Sequence, residues 1–266
     1  MPDVDNPPPD PDITPHYAHI DVGEQKEPVR PSNPGSGLAG EAHGDLAADA
    51  AAYLERSGYT LQSFGGDSQE IERQAASLIA WAREKGCILP PDCTAGLPKQ
   101  ASTTAEHQVF YRAADKRALK VTYPGTFGAT PDPKGAQRGA TPLFYLYRLA
   151  LMNRVFNSGL RLEGVTFGKS LVIGLSGDQP SMVTSQPWIR PANAERPHPT
   201  SREITQFMAS LDFVQVTKSY YGWQRTADAV TILDARPDNF IRSAEGVVPI
   251  DLVISQGSPR SISLLV

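Results

Sequence analysis

Cysteine is scarce in this chain: Cys87 and Cys93 are the only two among 266 residues. With no second Cys or His pair at metal-ligand spacing nearby, a zinc site is not expected and no disulfide is required. Long apolar runs are missing too, so no segment is expected to span a membrane. Positive charge is not in excess. Twenty-five Lys and Arg face 29 Asp and Glu, for a net charge of −4, which argues against a nucleic-acid partner held by bulk charge. The N-terminus is acidic and proline-rich, and lacks a signal peptide's basic start and apolar core. These absences lead us to expect a cytoplasmic protein.

What is present is a hydrophobic content of 40% with 24 prolines and 22 glycines, enough for a real core broken by many turns. Residues 1–40 are dense in proline and poor in large apolar side chains, so we expect a disordered lead; His16 and His19 lie there and read as solvated. Residues 41–100 should form a helical extension. In its first helix Leu46, Ala50, Tyr53 and Leu54 recur at helical spacing, with Gly58 as a stop. In the second, Asp67 and Glu70 suggest a capping box; Ile71, Ala75, Leu78, Ile79 and Ala82 form one face, and Trp81 and Arg83 fall off it. From residue 101 the pattern turns to β. His107–Arg112 and Arg117–Tyr123 read as a hairpin, and 124–140 as a glycine- and proline-rich loop. Thr141 caps a helix with Pro142 in its first turn. Strands are expected near 171–176 and 181–187. Thr200 and Glu203 make a second capping box, and short strands follow near 213–222, 229–233, 239–243 and 247–254. This order is α+β.

The most informative segment is Asp234-Ala-Arg-Pro-Asp-Asn239, followed by Asp251 within Val248–Ile254. Its spacing suits phosphoryl transfer. A metal-bound nucleotide needs hard oxygen ligands, for which Asn239 and Asp251 are candidates. An acceptor hydroxyl needs a separate carboxylate to take its proton, a role open to Asp234. Arg236 keeps a forked positive charge nearby, and Glu245-Gly246 reads as a hairpin turn returning the chain toward Asp251. Lys120, flanked by Leu119 and Val121, should point to the opposite sheet face from them, toward a nucleotide's phosphates or toward water. Gln186, in Ser185-Gln-Pro-Trp188, could present an adenine-binding edge or sit in an ordinary turn. The run Asp234–Asn239 could likewise be only a polar turn. His107 alone is more often structural than a general base.

Taken in order, Glu106-His-Gln-Val-Phe-Tyr111, Ala118-Leu-Lys-Val-Thr122, Phe127-Gly128, Tyr145-Leu-Tyr-Arg-Leu149 with Asn153 and Phe156, Ser185-Gln186, Glu203-Ile204 and Asp234 through Asp251 resemble the serine/threonine/tyrosine kinase-like domain found in polyvalent proteins of phages and other mobile elements. The resemblance covers roughly residues 55–256. It implies a minimal two-lobed protein-kinase-like fold with N-terminal helices and a reduced C-terminal lobe. The kinase-like domain would span 101–256, and 257–266 would be a tail. It further implies ATP and Mg²⁺ as cofactors. Asp234 and Arg236 would be catalytic, Lys120, Gln186, Asn239 and Asp251 would bind the nucleotide, and Asn239 and Asp251 would hold the metal.

The sequence also departs from that pattern. Ile232-Leu233 stand where kinases have His-Arg, Leu252-Val253 follow Asp251, and Ala101–Ala105 contain no glycine where a phosphate-covering loop would lie. The helix after Lys120 lacks a glutamate in its first two turns; Phe144 occupies that slot, with Glu106 and Glu163 as substitutes. The chain ends soon after Asp251, with no activation segment expected. The expectation is therefore an ATP- and Mg²⁺-dependent phosphotransferase acting on a protein or small-molecule hydroxyl. The alternatives are a catalytically inactive pseudokinase serving as a nucleotide-binding or interaction module, or a non-kinase module.

Overall fold

A computed structural model describes residues 45–61, 67–100, 106–131, 137–170, 177–217 and 221–257. The expected lead at 1–40, most of the tail and Ala101–Ala105 lie outside them. The fold is α+β. Two helices come first, α1 (Leu46–Arg56) and α2 (Ser68–Glu84). Asp45 caps α1 by accepting from the backbone of Ala47 and Ala48. Asp67 caps α2 by accepting from Glu70 N–H at 2.8 Å. The expected capping box there is only half made. The Glu70 carboxylate turns along its own helix to Arg73 and Gln74, at 2.9 and 2.8 Å, instead of reaching back.

Trp81 corrects the sequence reading. It is fully buried with Leu54 and Leu78, and its indole N–H donates to Asp49 of α1 at 2.9 Å. The stripe of α2 is wider than one row of aliphatic residues because α2 packs on both α1 and the third helix.

Strands β1 (His107–Arg112) and β2 (Arg117–Thr122) form the expected hairpin. The loop at 124–140 is less irregular than expected: it contains a short antiparallel ribbon, β3 (Ala129–Pro131) with β4 (Gln137–Gly139). Helix α3 (Pro142–Phe156) starts at the Thr141 cap and ends at Asn157 in a left-handed conformation. The next hairpin is β5 (Arg161–Lys169) with β6 (Asp178–Pro187). Its first strand therefore precedes the expected 171–176, residues that lie outside those described. Helix α4 (Ser201–Ser210) carries the expected complete capping box. Then follow β7 (Val214–Thr217), β8 (Gly222–Arg225), β9 (Val230–Leu233), β10 (Phe240–Ser243), β11 (Gly246–Pro249) and β12 (Val253–Gln256). The single strand expected over 247–254 is thus divided at Ile250–Leu252.

Two four-stranded antiparallel sheets carry the site. The first has the order β1-β2-β6-β5 and the second β12-β9-β8-β7. Both edges of the first are partly covered. Lys99 pairs with Phe110 of β1, and Ile88 pairs with Val165 of β5, which blunts edges that would otherwise invite pairing. Strand alternation assigns the faces of this sheet. Leu119 and Val183 join Phe110 in a small cluster with Leu89, Cys93 and Leu97. On the opposite face, register places His107 opposite Thr122, Lys120 opposite Thr184 and Ala118 opposite Gln186. In the second sheet Val253 pairs with Leu233, so Leu252 and Asp234, the next residues out, leave adjacent strands at one end. The main core is continuous from Leu54, Leu78 and Trp81 through Leu143, Leu146 and Val165 to Ile232, Phe240 and Ile254. Among the described residues no helix is long and apolar enough to cross a membrane.

Trp81→Ala should lower stability by about 3–5 kcal/mol in denaturant unfolding, as loss of a buried aromatic side chain does. Arg83→Ala, on the exposed face of the same turn, should stay within about 0.5 kcal/mol of wild type.

Candidate functional site

Helix α3 is apolar over most of its surface. Leu143, Phe144, Tyr145, Leu146, Leu149, Leu151 and Met152 are buried, and one charged residue, Arg148, is buried among them at 5% exposure. A buried guanidinium must be paired, and this one is held on three sides. Its Nη1 donates to Glu106 Oε2 at 2.7 Å, Nη2 to Asp251 Oδ1 at 3.0 Å, and Nε to the Leu252 carbonyl at 2.8 Å. Glu106 is fixed in turn by the Ala129 N–H, at 2.9 Å from Oε1. Gly128 makes room for this arrangement. It sits at φ +80°, and a Cβ there would come within 3.0 Å of both Arg148 Nη1 and Glu106 Oε2.

Lys120 reaches the same place from β2. It is buried and donates to the Ile250 carbonyl, so it is neither an edge lysine facing water nor directly paired to a glutamate. His107, on the same sheet face, has Nε2 2.9 Å from the Tyr145 hydroxyl and Nδ1 3.8 Å from Asp251 Oδ2. Together His107, Lys120, Tyr145, Arg148, Thr184 and Asp251 enclose much of a cavity of about 20 Å³, room for a water or a single ion.

The electrostatics follow from burial and charge. Burial pushes the Lys120 ammonium below its ordinary value, Asp251 partly restores it, and Arg148 adds to the depression. Burial alone would raise the Asp251 carboxyl; Lys120, His107 and Arg148 outweigh that and hold it well below the usual carboxylate range. Arg148 stays charged although burial opposes it, because Glu106 and Asp251 flank it. Burial raises Tyr145, which keeps its phenolic proton. Glu106 and Asp251 thus share one place with the basic side chains of Lys120, Arg148 and His107.

The loop Asp234–Asn239 adjoins this cluster. Asp234 takes a left-handed backbone at φ 58°, uncommon for a residue other than glycine and a form of strain that gathers at functional sites. A single 3-10 turn, Pro237–Asn239, follows. The buried Asn239 amide donates from Nδ2 to both the Asp234 carbonyl and its Oδ2, at 2.6 and 2.9 Å. That commits the nitrogen and leaves Oδ1 as the amide's free-acceptor end. Arg236 Nε donates to Asp234 Oδ1 at 2.6 Å. The Asn239 backbone carbonyl accepts from Ile250 N–H at 2.8 Å and Asp251 N–H at 3.4 Å. Asp234, Arg236, Asn239, Asp251 and Lys120 thus belong to one chain of contacts.

Gln186 stands apart. It lies on the Lys120 face of the sheet, beyond Thr184, outside the residues lining the cavity. It is buried, and its Oε1 has no hydrogen-bond partner among the described residues. Of the two glutamates considered as substitutes, Glu163 accepts from the Ser185 hydroxyl and pairs with Arg112 at 3.2 Å. Glu106 is the one that joins the cluster, through Arg148. Arg148 and Tyr145 join the site beyond the residues that the sequence points to. The signal for Arg148 is an arginine set among the apolar residues in the middle of α3.

The donor set suits hard cations: two carboxylates, with an amide oxygen on the neighbouring loop. Glu106, His107 and Asp251 have ligand atoms within 4.8 Å of one another. Arg148, however, already occupies both of these carboxylates, so Asp251 is the ligand that this group shares with the expected Asn239–Asp251 pair.

Asp251→Asn would leave Lys120 and Arg148 as buried charges short of a partner, and should cost about 3–5 kcal/mol. The sign of the pH dependence follows from the depressed Asp251 value. Its stabilisation is complete above the ordinary carboxylate value of about 3.9 and is lost as pH falls below that toward the folded-state value. The difference between wild type and Asp251→Asn in urea unfolding should therefore be flat from pH 7 to about 4 and shrink only in stronger acid.

No protein-family model matches the chain, and comparison with curated proteins and with solved structures finds no significant match.

Proposed function

We propose that the chain is a kinase-like phosphotransferase that uses ATP and Mg²⁺ to phosphorylate a hydroxyl acceptor. The observation that carries this reading is the link from Asp234 through Asn239 to Ile250 and Asp251, with Lys120 on the Ile250 carbonyl. It puts a proton acceptor, a pair of hard oxygen ligands and a buried ammonium into one connected unit, which a polar turn between strands would not need. The order β1-β2-β6-β5, with α3 between β2 and β5, fits the smaller lobe that the kinase-like resemblance implies. Within this reading the unpaired buried Oε1 of Gln186 is an acceptor for a ring amine.

Asn239 Oδ1 and Asp251 would hold Mg²⁺, whose charge would offset that of the β- and γ-phosphates. Asp234 orients the acceptor hydroxyl and takes its proton. Its carboxylate has about four lone-pair directions, and the contacts from Arg236 and Asn239 leave an outward one for the acceptor. Arg236, half exposed beside it, neutralises charge developing on the transferred group. Lys120 supplies a second positive charge from β2 once it turns from the Ile250 carbonyl to a phosphate oxygen. The cavity of about 20 Å³ would admit only a phosphate oxygen or a cation, so a nucleotide's sugar and base would lie outside it.

The pseudokinase reading has its own support. Lys120 is tied to a backbone carbonyl and Asp251 to Arg148, a closed arrangement that could persist without chemistry. Kinetics separate the two. Asp234→Asn should lower phosphate transfer or slow ATP hydrolysis by about 10²–10⁴, the share of a general base. Nucleotide affinity, followed by calorimetry, should stay near wild type. Binding of ATP with no turnover in the wild type would leave the pseudokinase.

A further inference from the structure

We infer that Arg148 positions and charge-balances Asp251, so that a divalent cation enters this site only together with an anionic phosphate group. The inference rests on the phosphotransferase reading and deepens it. Arg148 stands on α3, the helix in which the kinase-like resemblance implies a lysine-pairing glutamate, and carries the opposite charge. It contacts Glu106, just before β1, the Ile250–Leu252 turn through Asp251, and the backbone through the Leu252 carbonyl. A lysine could not make this contact set: a guanidinium presents five donors in a rigid fork, an ammonium only a compact point charge. The fork takes Asp251 Oδ1 and so sets the direction of Oδ2. Groups that hydrogen-bond a ligating carboxylate govern metal affinity without touching the metal.

Charge counting gives the second half of the inference. Three basic side chains, Lys120, Arg148 and His107, already crowd the two carboxylates Glu106 and Asp251. A lone divalent cation would add two positive charges where Lys120 and Arg148 already lie, in a place where burial strengthens every charge interaction. A polyphosphate arriving with the cation removes that obstacle and gives Lys120 an anionic partner. Cation and nucleotide should therefore bind with strong positive coupling.

The test is to titrate wild type, Arg148→Gln and Arg148→Lys with Mn²⁺ alone and with Mg²⁺–ATP, after each variant's fold is checked by near-UV circular dichroism. Wild type should take up Mn²⁺ weakly on its own and Mg²⁺–ATP well. Arg148→Gln removes one positive charge from around the two carboxylates. It should bind Mn²⁺ alone more tightly while losing about 10- to 100-fold in affinity for Mg²⁺–ATP. A residue that only supported the fold would weaken both. Arg148→Lys, which keeps the charge without the fork, should weaken Mg²⁺–ATP and gain nothing for the lone cation; it provides the test if Arg148→Gln fails to fold. The inference is overturned if the foldable variants bind Mg²⁺–ATP like wild type, or if both ligands weaken in parallel. If wild type itself binds no Mg²⁺–ATP, the phosphotransferase reading falls along with it.

Discussion

One buried guanidinium ties this structure together. Arg148 joins α3 to Glu106, just before β1, and to the turn before β12, and the groups it holds are far apart in sequence. Burial makes the arrangement stringent. A guanidinium out of water is stable only while its partners stay in place, so the positions of Glu106, Asp251 and Leu252 are coupled. Lys120 raises the demand, because it adds a second positive charge that only the same carboxylates can offset. Gly128 exists within this constraint, since any side chain there would press on the Glu106–Arg148 contact.

The two sheets serve that centre in different ways. The first presents Lys120 and His107 by alternation, on the face turned toward α3. The second brings Asp234 and Leu252 to the same end of neighbouring strands, β9 and β12. Asp234 then has to turn through a left-handed conformation, and the Asn239 amide holds it there from two sides. Strain at Asp234 and buried charge around Asp251 are the two costs of this site. Both are compensated by local hydrogen bonds rather than by apolar packing.

Much of this was legible in the sequence where a local rule dominates. The Thr141 and Thr200 caps, the β1–β2 hairpin and the turn at Glu245-Gly246 each rest on a few adjacent residues, and their elements lie where expected. Asp234, Asn239 and Asp251 were legible as a group because their spacing is short. What was not legible depends on distant partners. Strand β5 was missed because Gly164 interrupts it: the register shifts there, and the Cys87 backbone comes so close that a Cβ would lie 2.2 Å from its carbonyl oxygen. Trp81 was read as off the stripe because its partner, Asp49, belongs to another helix. Arg148 is not legible because its partners, Glu106 and Asp251, lie 42 and 103 residues away, although a charge in a buried helix is itself a site signal.

The account stands on the claim that the Lys120–Arg148–Asp251 cluster is a place for phosphate and metal together. Thermal unfolding of the wild-type chain with Mg²⁺ alone, ATP in EDTA, and Mg²⁺ with ATP tests it most directly. At about 100-fold excess over the dissociation constant a specific ligand adds roughly 2.7 kcal/mol, several degrees for a domain of this size. The account predicts such a rise with Mg²⁺ and ATP together, little with either alone, and its loss in Lys120→Met. An unfolding temperature that does not move with both ligands at saturating concentration would contradict it.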